Sequence, residues 1–294
     1  MAIFNKKKPD QQPVVLAVFG DTHVNSTVAL PPGHSFPLDD GGMIKPSRSQ
    51  LWILDCWNDY WAQVNAQVEA VGGRLWVVAN GDLVEGNHHG TVQIHTKNEN
   101  TQMRMATHLL DPIAQRAERF FVVRGTGVHV GPAGGWDERI AQDLGATPDP
   151  GVIKDDNGNP SRYSWWVLRM QVHGTKFVIA HHTTKGRLPW TRGNSANKLA
   201  ARTLMTYAEA GDTIPDVVIR SHVHSFEDSG QNHRVLGILN GCWQLSTEYG
   251  NKISPDSPPD IGGIYFTLYP DRPFEYGDFK KKHYREKPRT WIGF

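Results

Sequence analysis

The chain has 294 residues, enough for one large α/β domain or two small ones with a buried core. Its formal net charge of +1 excludes an overall field that would draw it onto nucleic acid or an anionic membrane, so any polyanion binding must be local. No apolar run reaches the ~18 residues of a membrane span, and the amino terminus has no apolar signal region, so we expect a cytoplasmic protein without a membrane partner.

The first half of the chain alternates apolar strands with helical stretches. Each strand is a continuous apolar run that ends at or just before a glycine, which is typical of a strand buried on both faces. Strands are predicted at 14–19, 75–79 and 120–123, and helices between them at about 51–71 and 98–119. Right-handed βαβ crossovers would place the carboxyl ends of these three strands along one edge of a parallel sheet.

The second half is richer in strands. Apolar stretches at 163–168 and 176–180 flank His173-Gly174 as the strands of a hairpin would. A further helix is predicted at about 196–210, and strands at 217–219, 235–239 and 264–268. No internal repeat or linker is visible. The predicted fold class is therefore α/β (α+β), with two packed mixed β-sheets flanked by helices in one domain at 13–270, a flexible segment at 1–12 and a basic carboxy-terminal arm at 271–294.

Polar residues capable of binding metal follow these strands directly. They are Asp21, His23, Asp82, Thr126, His181, His182, His222 and His224. Ligands of open α/β sheets bind beside the carboxyl ends of strands, so we expect these groups to converge. In Asp-x-His and His-x-His, alternate residues of an extended segment point to one side and can hold one ion or two adjacent ions. A single such motif is more often a surface loop or a satisfied histidine, but their order and placement together favour a metal site.

The chemistry of this donor set points to two divalent ions. Carboxylate and imidazole without thiolate suit Mn, with Fe, Zn or Ni as alternatives. A buried Asp82 that bridges two ions about 3.5–4 Å apart would form the clamp used for in-line displacement at phosphorus.

The order of the motifs resembles the calcineurin-like metallophosphoesterases. The series is Gly20-Asp21-Thr22-His23, Gly81-Asp82-Leu83-Val84-Glu85, a histidine after a later strand, and Ser221-His222-Val223-His224, spanning about residues 14–270. The resemblance implies that Asp21, His23 and His224 hold a first metal ion, that His181 and His222 hold a second, and that Asp82 bridges them. It also implies the family's double-layered β-sandwich with helices outside. His181 directly follows its strand and is preferred over His182, although the two remain alternatives.

One motif of that family is missing. After the third strand the family has Gly-Asn-His, in which Asn binds the second metal and His protonates the leaving group or contacts the phosphate. This chain has Gly125-Thr126-Gly127-Val128-His129 at that place. Thr126 is a poor neutral substitute as a ligand, whereas His129 is close enough along the loop to act as the catalytic acid. A Gly86-Asn87-His88 sequence also occurs, but it follows Asp82 too closely to take the motif's usual place.

Three further residues are candidates for contact with substrate. His88 and His89 extend the loop after Asp82, and either they reach substrate or the position of the missing asparagine, or they are exposed to solvent. Arg187, on the loop after the His181 strand, is the predicted phosphate contact.

The resulting hypothesis is metal-dependent hydrolysis of phosphate esters. A phosphodiesterase is favoured, and a nuclease is included because the stretch 280–289 is strongly basic, which makes nucleic acid a candidate partner. The alternatives are a phosphomonoesterase or protein phosphatase and, from another class, a non-catalytic metal-binding scaffold. The sequence leaves the oligomeric state open.

Overall fold

The computed structural model describes residues 11–88, 90–186, 189–253 and 255–285. The strands are β1 (Val14–Phe19), β2 (Phe36–Pro37), β3 (Met43–Ile44), β4 (Arg74–Asn80), β5 (Arg119–Val123), β6 (Ser164–Trp165), β7 (Leu168–Val172), β8 (Thr175–Ile179), β9 (Val217–Arg220), β10 (Glu227–Asp228), β11 (Leu236–Leu239), β12 (Ile261–Leu268) and β13 (Phe279–Tyr284). The helices are α1 (Arg48–Val71), α2 (Glu99–Arg116), α3 (Gly127–Val130), α4 (Gly135–Asp143), α5 (Asn194–Glu209) and α6 (Glu248–Ile253).

Two mixed sheets form the centre of the molecule. The first has the strand order β13-β12-β1-β4-β5-β6, in which β1, β4, β5 and β6 are parallel and β12 is antiparallel to β1. The second has the order β10-β11-β9-β8-β7, with β8, β9 and β11 parallel. The predicted fold class, two packed mixed sheets flanked by helices, is confirmed.

Strand β1 shows why its sequence is apolar throughout. Val14, Leu16 and Val18 belong to the core between the two sheets, whereas Val15, Ala17 and Phe19 belong to the core between the first sheet and its helices. A strand covered on both faces has no position for a polar side chain. On the helix side, the rings of α1 pack edge to face on Phe19, with the Trp57 and Trp61 centroids at 5.1 and 5.9 Å.

The helices cover the outer faces of both sheets. Helix α1 begins with a capping box between Ser47 and Gln50, two residues before the predicted cap at Ser49, and ends where Gly72 takes a left-handed φ of 58°. On the second sheet, Ala196 and Ala200 of α5 are buried against β9 and β11. The result is a four-layer arrangement of helix, sheet, sheet and helix.

One predicted strand begins at a different residue in the structure. The hairpin strand begins at Leu168 and not at 163, because Ser164 and Trp165 pair with β5 of the other sheet. Glu138 of α4 holds them there by accepting hydrogen bonds from Ser164 N at 3.0 Å and Oγ at 2.5 Å.

The predicted basic arm contains regular structure. Its segment Phe279–Tyr284 is the edge strand β13, paired with β12. Residues 1–10 and 286–294 lie outside the described residues, and the domain boundaries stay a prediction. Within the ranges that the structure describes, none of the helices has both the length and the apolar character needed to cross a bilayer.

Candidate metal centre

The site lies where the carboxyl ends of parallel strands from both sheets meet. Asp21 follows β1, Asp82 follows β4, His181 follows β8 and His222 follows β9. Asn80, the last residue of β4, joins the two edges, because its amide donates to Ser221 Oγ at 2.8 Å and to Ala180 O at 3.2 Å. The residues that follow these four strands therefore lie close together at the joined edges of the two sheets.

Two glycines allow the loops at this edge to approach each other. A Cβ on Gly81 would lie 2.4 Å from His181 Nδ1, and a Cβ on Gly125 would lie 2.2 Å from Asp82 N. Both distances are far below van der Waals contact. The packing of the site therefore requires glycine at position 81, before Asp82, and at position 125, before Thr126.

Most of the predicted ligands have a left-handed backbone. The φ values are 55° for Asp21, 44° for His23, 51° for Asp82, 73° for His222 and 50° for His224. Residues other than glycine rarely adopt this region, at a cost of about 1–3 kcal/mol each. The prediction that alternate residues of an extended segment point to one side is therefore wrong in its geometry. Each segment turns sharply after its strand. The turn brings Asp21 and His23 into one cluster, whereas His222 and His224 lie in different clusters.

The first group of ligands consists of Asp21, His23 and His224. His23 Nε2 lies 3.1 Å from His224 Nε2, and Asp21 Oδ1 lies 3.2 Å from the His224 nitrogen and 3.9 Å from the His23 nitrogen. His23 Nδ1 lies 2.9 Å from Glu85 Oε2, at ion-pair distance from that carboxylate. The neutral His23 ring then presents a lone pair at Nε2 to the other two ligand atoms, as a metal ligand must.

The second group consists of Asp82, His181 and His222. His181 Nδ1 donates to Asn80 O at 2.7 Å, so a neutral ring has only a lone pair at Nε2, which lies 2.9 Å from Asp82 Oδ2. Two acceptors at this distance require a cation between them, either a proton or a metal ion. Burial by itself would lower the pKa of His181, but Asp82 and Asp21 raise it to about 10. The carboxylate of Asp82 and the imidazoles of His181 and His222 are suitable ligands for a divalent ion.

Asp82 lies between the two groups. Its carboxylate is within 4.8 Å of the ligand atoms of His181 and His222 on one side and of His23 and His129 on the other. Burial would raise its pKa, and His181 instead holds the pKa well below the usual range. Thr126 N donates to Asp82 Oδ1 at 2.6 Å and fixes the carboxylate. An anionic, oriented carboxylate in this place is suited to bridge two ions.

His129 and His88 lie beside the first group. His129 Nδ1 donates to Glu85 O at 2.6 Å, and its ring centroid is 4.6 Å from that of His23 and 4.5 Å from that of His88. Burial lowers the pKa of His129 to about 4. His88 Nε2 lies 3.1 Å from Glu85 Oε1. Asn87 is exposed and donates to Lys97 O, so Gly86-Asn87-His88 does not place an asparagine among the ligands.

The remaining candidates are placed as follows. His181, and not His182, contacts Asp82, while the His182 ring packs on the rings of His181 and His222 at 5.2 and 5.1 Å. His89 and Arg187 lie outside the described residues.

Sequence reasoning gave Glu85 no role and judged Thr126 a poor ligand. Glu85 is buried, is paired with His23 and His88, and also accepts from Gln244 Nε2 at 2.8 Å. Its only sequence signal is a carboxylate three residues after Asp82. Thr126 Oγ1 lies among the ligand atoms of the second group. Its signal is its place in the motif that otherwise carries asparagine.

No family model matches this chain, and no curated protein matches it significantly. Among solved structures, it is similar to YfcE, a phosphoesterase from E. coli, at 11% identity and a TM-score of 0.38, over 87% of this chain and 93% of that one. It is also similar to vacuolar protein sorting 29 from Cryptosporidium parvum, at 11% identity and a TM-score of 0.38, over 93% and 97%.

A third similar structure is the NAD nucleotidase NadN of Haemophilus influenzae, at 11% identity and a TM-score of 0.39, over 92% of this chain and 49% of that one. The identities and TM-scores are low, so the functional conclusion comes from the geometry of this site.

Proposed function

We propose that this protein is a metal-dependent phosphodiesterase with two divalent ions, Mn²⁺ being the best suited. The observation that carries the proposal is that two groups of ligands, Asp21/His23/His224 and His181/His222, flank one buried carboxylate, Asp82. When bound, two such ions supply the positive charge that activates water and stabilises displacement at phosphorus.

The protein's own contribution is to orient the ligands before any ion binds. Glu85 fixes the tautomer of His23, the carbonyl of Asn80 fixes that of His181, and Thr126 N fixes Asp82. Outer partners of this kind keep imidazole rings in the ligating tautomer and raise their basicity. His129 lies next to the first group and is the proposed proton donor to the leaving group, a role that requires the charge of the bound phosphate to raise its pKa from about 4.

The charge at the rim supports a diester over a monoester substrate. The side chains beside the ligands are the imidazoles of His88, His129 and His182. A phosphate monoester carries a charge near −2 at neutral pH, whereas a diester carries a single charge and needs less cationic support.

The edge strand β13 supports a nucleic acid as the diester. It carries Lys280, Lys281 and Lys282, of which the first two are exposed. Its carboxyl end pairs with Ile261, and the preceding Asp260 donates its backbone N–H to His224 O at 2.9 Å. A basic strand thus leads to the edge that holds the ligands, and local basic groups of this kind bind phosphate backbones.

The test is a pair of hydrolysis assays on metal-loaded protein whose ion content has been measured. We expect two ions per chain and faster turnover of bis(4-nitrophenyl) phosphate than of 4-nitrophenyl phosphate. A faster monoester reaction would replace the diester proposal by a phosphomonoesterase. Two bound ions without turnover of either ester or of an oligonucleotide would support the metal-binding scaffold instead.

A further inference from the structure

The hydroxyl of Thr126 lies at the centre of the second group of ligands. Thr126 Oγ1 is 3.0 Å from His222 Nδ1, 3.1 Å from Asp82 Oδ2 and 3.3 Å from His181 Nε2. Atoms bound to one divalent ion at about 2.0–2.2 Å lie roughly 3 Å from one another. The spacing around this oxygen is therefore that of ligands that share an ion.

The backbone around Thr126 holds the hydroxyl in this position. Gly125 N donates to the buried Asp137 Oδ2 at 2.8 Å, and Arg124 N donates to Trp165 O at 2.8 Å. Thr126 N itself donates to Asp82 Oδ1 at 2.6 Å. The backbone that leads to Thr126 is therefore fixed at three successive amides, and the hydroxyl needs no rearrangement to meet an ion.

The hydrogen-bonding capacity of a hydroxyl leaves an oxygen lone pair available. A threonine hydroxyl has one proton and two lone pairs, and the Asp82 carboxylate can accept that proton. The neutral His181 ring presents a lone pair from the same side, because its Nδ1 proton goes to Asn80 O. Thr126 Oγ1, Asp82 Oδ2 and His181 Nε2 thus lie 2.9–3.3 Å from one another.

From this geometry we propose that Thr126 Oγ1 is a ligand of the second metal ion, in the place of the asparagine of the resembling family. The inference rests on the proposed two-ion centre. The second ion then has one shared carboxylate, two imidazoles and a neutral hydroxyl, whereas the first ion also has the charge of Asp21. Because fewer negative charges face it, the second ion binds more weakly and exchanges first.

The most direct test replaces the hydroxyl by a thiol in the cobalt-loaded protein. A thiolate ligand of Co²⁺ produces a sulfur-to-metal charge-transfer band in the near ultraviolet, and a cysteine that does not ligate produces none. We expect this band in Thr126→Cys above the wild-type baseline, which already includes Cys56 and Cys242. The matched control is Thr22→Cys. Thr22 lies in the sequence between the predicted ligands Asp21 and His23 and is buried, but its hydroxyl donates to Leu83 O at 2.8 Å and is not placed among the ligand atoms.

A second pair of variants covers the case in which the cysteine protein loses an ion. In calorimetric Mn²⁺ titrations, Thr126→Val should bind the first ion normally and the second at least ~10-fold more weakly, and Thr126→Ser should bind both as the wild type does. Two tightly bound ions in the valine variant, or two bound Co²⁺ ions without the band in the cysteine variant, would overturn the assignment. A wild type that binds fewer than two ions would refute the two-ion centre itself.

Discussion

The two groups of ligands are built differently, although they share Asp82. In the first group His23 is supported by the carboxylate of Glu85, and Asp21 contributes a charge of its own. In the second group His181 is supported by the neutral carbonyl of Asn80, and the neutral hydroxyl of Thr126 lies among the ligands. The negative charge at each proposed ion position, and not the number of ligands, therefore distinguishes the two groups.

The substitution Asp82→Asn breaks both groups at once and should have the largest effect. A neutral amide cannot bridge two dications as a carboxylate can, so we expect turnover at the background rate and a sharp fall in bound metal. Steady-state assays and elemental analysis measure both quantities. The matched control is Asp111→Asn on α2, whose carboxylate bonds only Gln115 among the described side chains. Near-normal turnover in Asp82→Asn would rule out the two-ion centre.

Metal removal should abolish activity reversibly and separate the two positions. We expect EDTA to inactivate the enzyme in two phases, with the second ion leaving first. Mn²⁺ should restore activity better than Mg²⁺, because imidazole ligands favour the softer ion. Residual metal and rate are followed together during dialysis. Full restoration by Mg²⁺ alone would count against the histidine ligands.

The substitution His129→Ala should leave both groups of metal ligands intact and slow only the step in which the leaving group departs. If His129 protonates the leaving group, the variant keeps its ions and loses about 10²–10⁴-fold in rate on an ester with a poor leaving group. The loss should shrink on nitrophenyl esters, since a nitrophenolate departs without a proton. His34→Ala, an exposed site, is the control. Equal losses on both esters would indicate phosphate positioning, and loss of metal would make His129 a ligand.

The substitution Glu85→Gln should weaken only the first group. It removes the charge that fixes the His23 tautomer, and loss of such an outer partner lowers metal affinity about 10–100-fold. Calorimetric titration should show this change at the tighter position, with the weaker one little affected. Glu118→Gln, which alters a partly exposed ion pair with Arg74, serves as the control. An unchanged first affinity would show that Glu85 has no such role.

The smallest expected effect concerns substrate binding at β13. The double substitution Lys280→Glu/Lys282→Glu should raise KM for an oligonucleotide. It should also flatten the salt dependence of binding, by roughly one unit in the log–log slope for each phosphate that the strand no longer neutralises. The kcat on bis(4-nitrophenyl) phosphate should stay the same. An unchanged KM for the oligonucleotide would remove β13 from the proposed binding path.

The sequence predicted the parts of the site that depend on local signals. Apolar runs that end near glycines located β1, β4 and β5, and the residues that follow the first two of these strands, Asp21 and Asp82, each lie in a cluster of ligand atoms. A strand buried on both faces and a glycine at its end are readable without knowledge of distant residues.

The parts that were missed depend on distant contacts. Ser164 and Trp165 join the first sheet through contacts with Arg124 and Glu138, which no periodicity reveals. Glu85 lies beside His23 because the chain turns at Asp82 and Glu85 N then bonds to Val24 O. Thr126 lies among the ligands because Gly125 packs directly against Asp82. These contacts depend on how the loops pack against one another, and no local sequence pattern predicts them.

The most direct measurement is an anomalous-scattering map from crystals of the Mn-loaded protein. We expect two peaks about 3.5–4 Å apart, one among Asp21, His23 and His224, the other among His181, His222 and Thr126, with Asp82 between them. The second peak should have the lower occupancy at limiting Mn²⁺. A single peak, or two peaks without Asp82 between them, would contradict the shared-carboxylate centre.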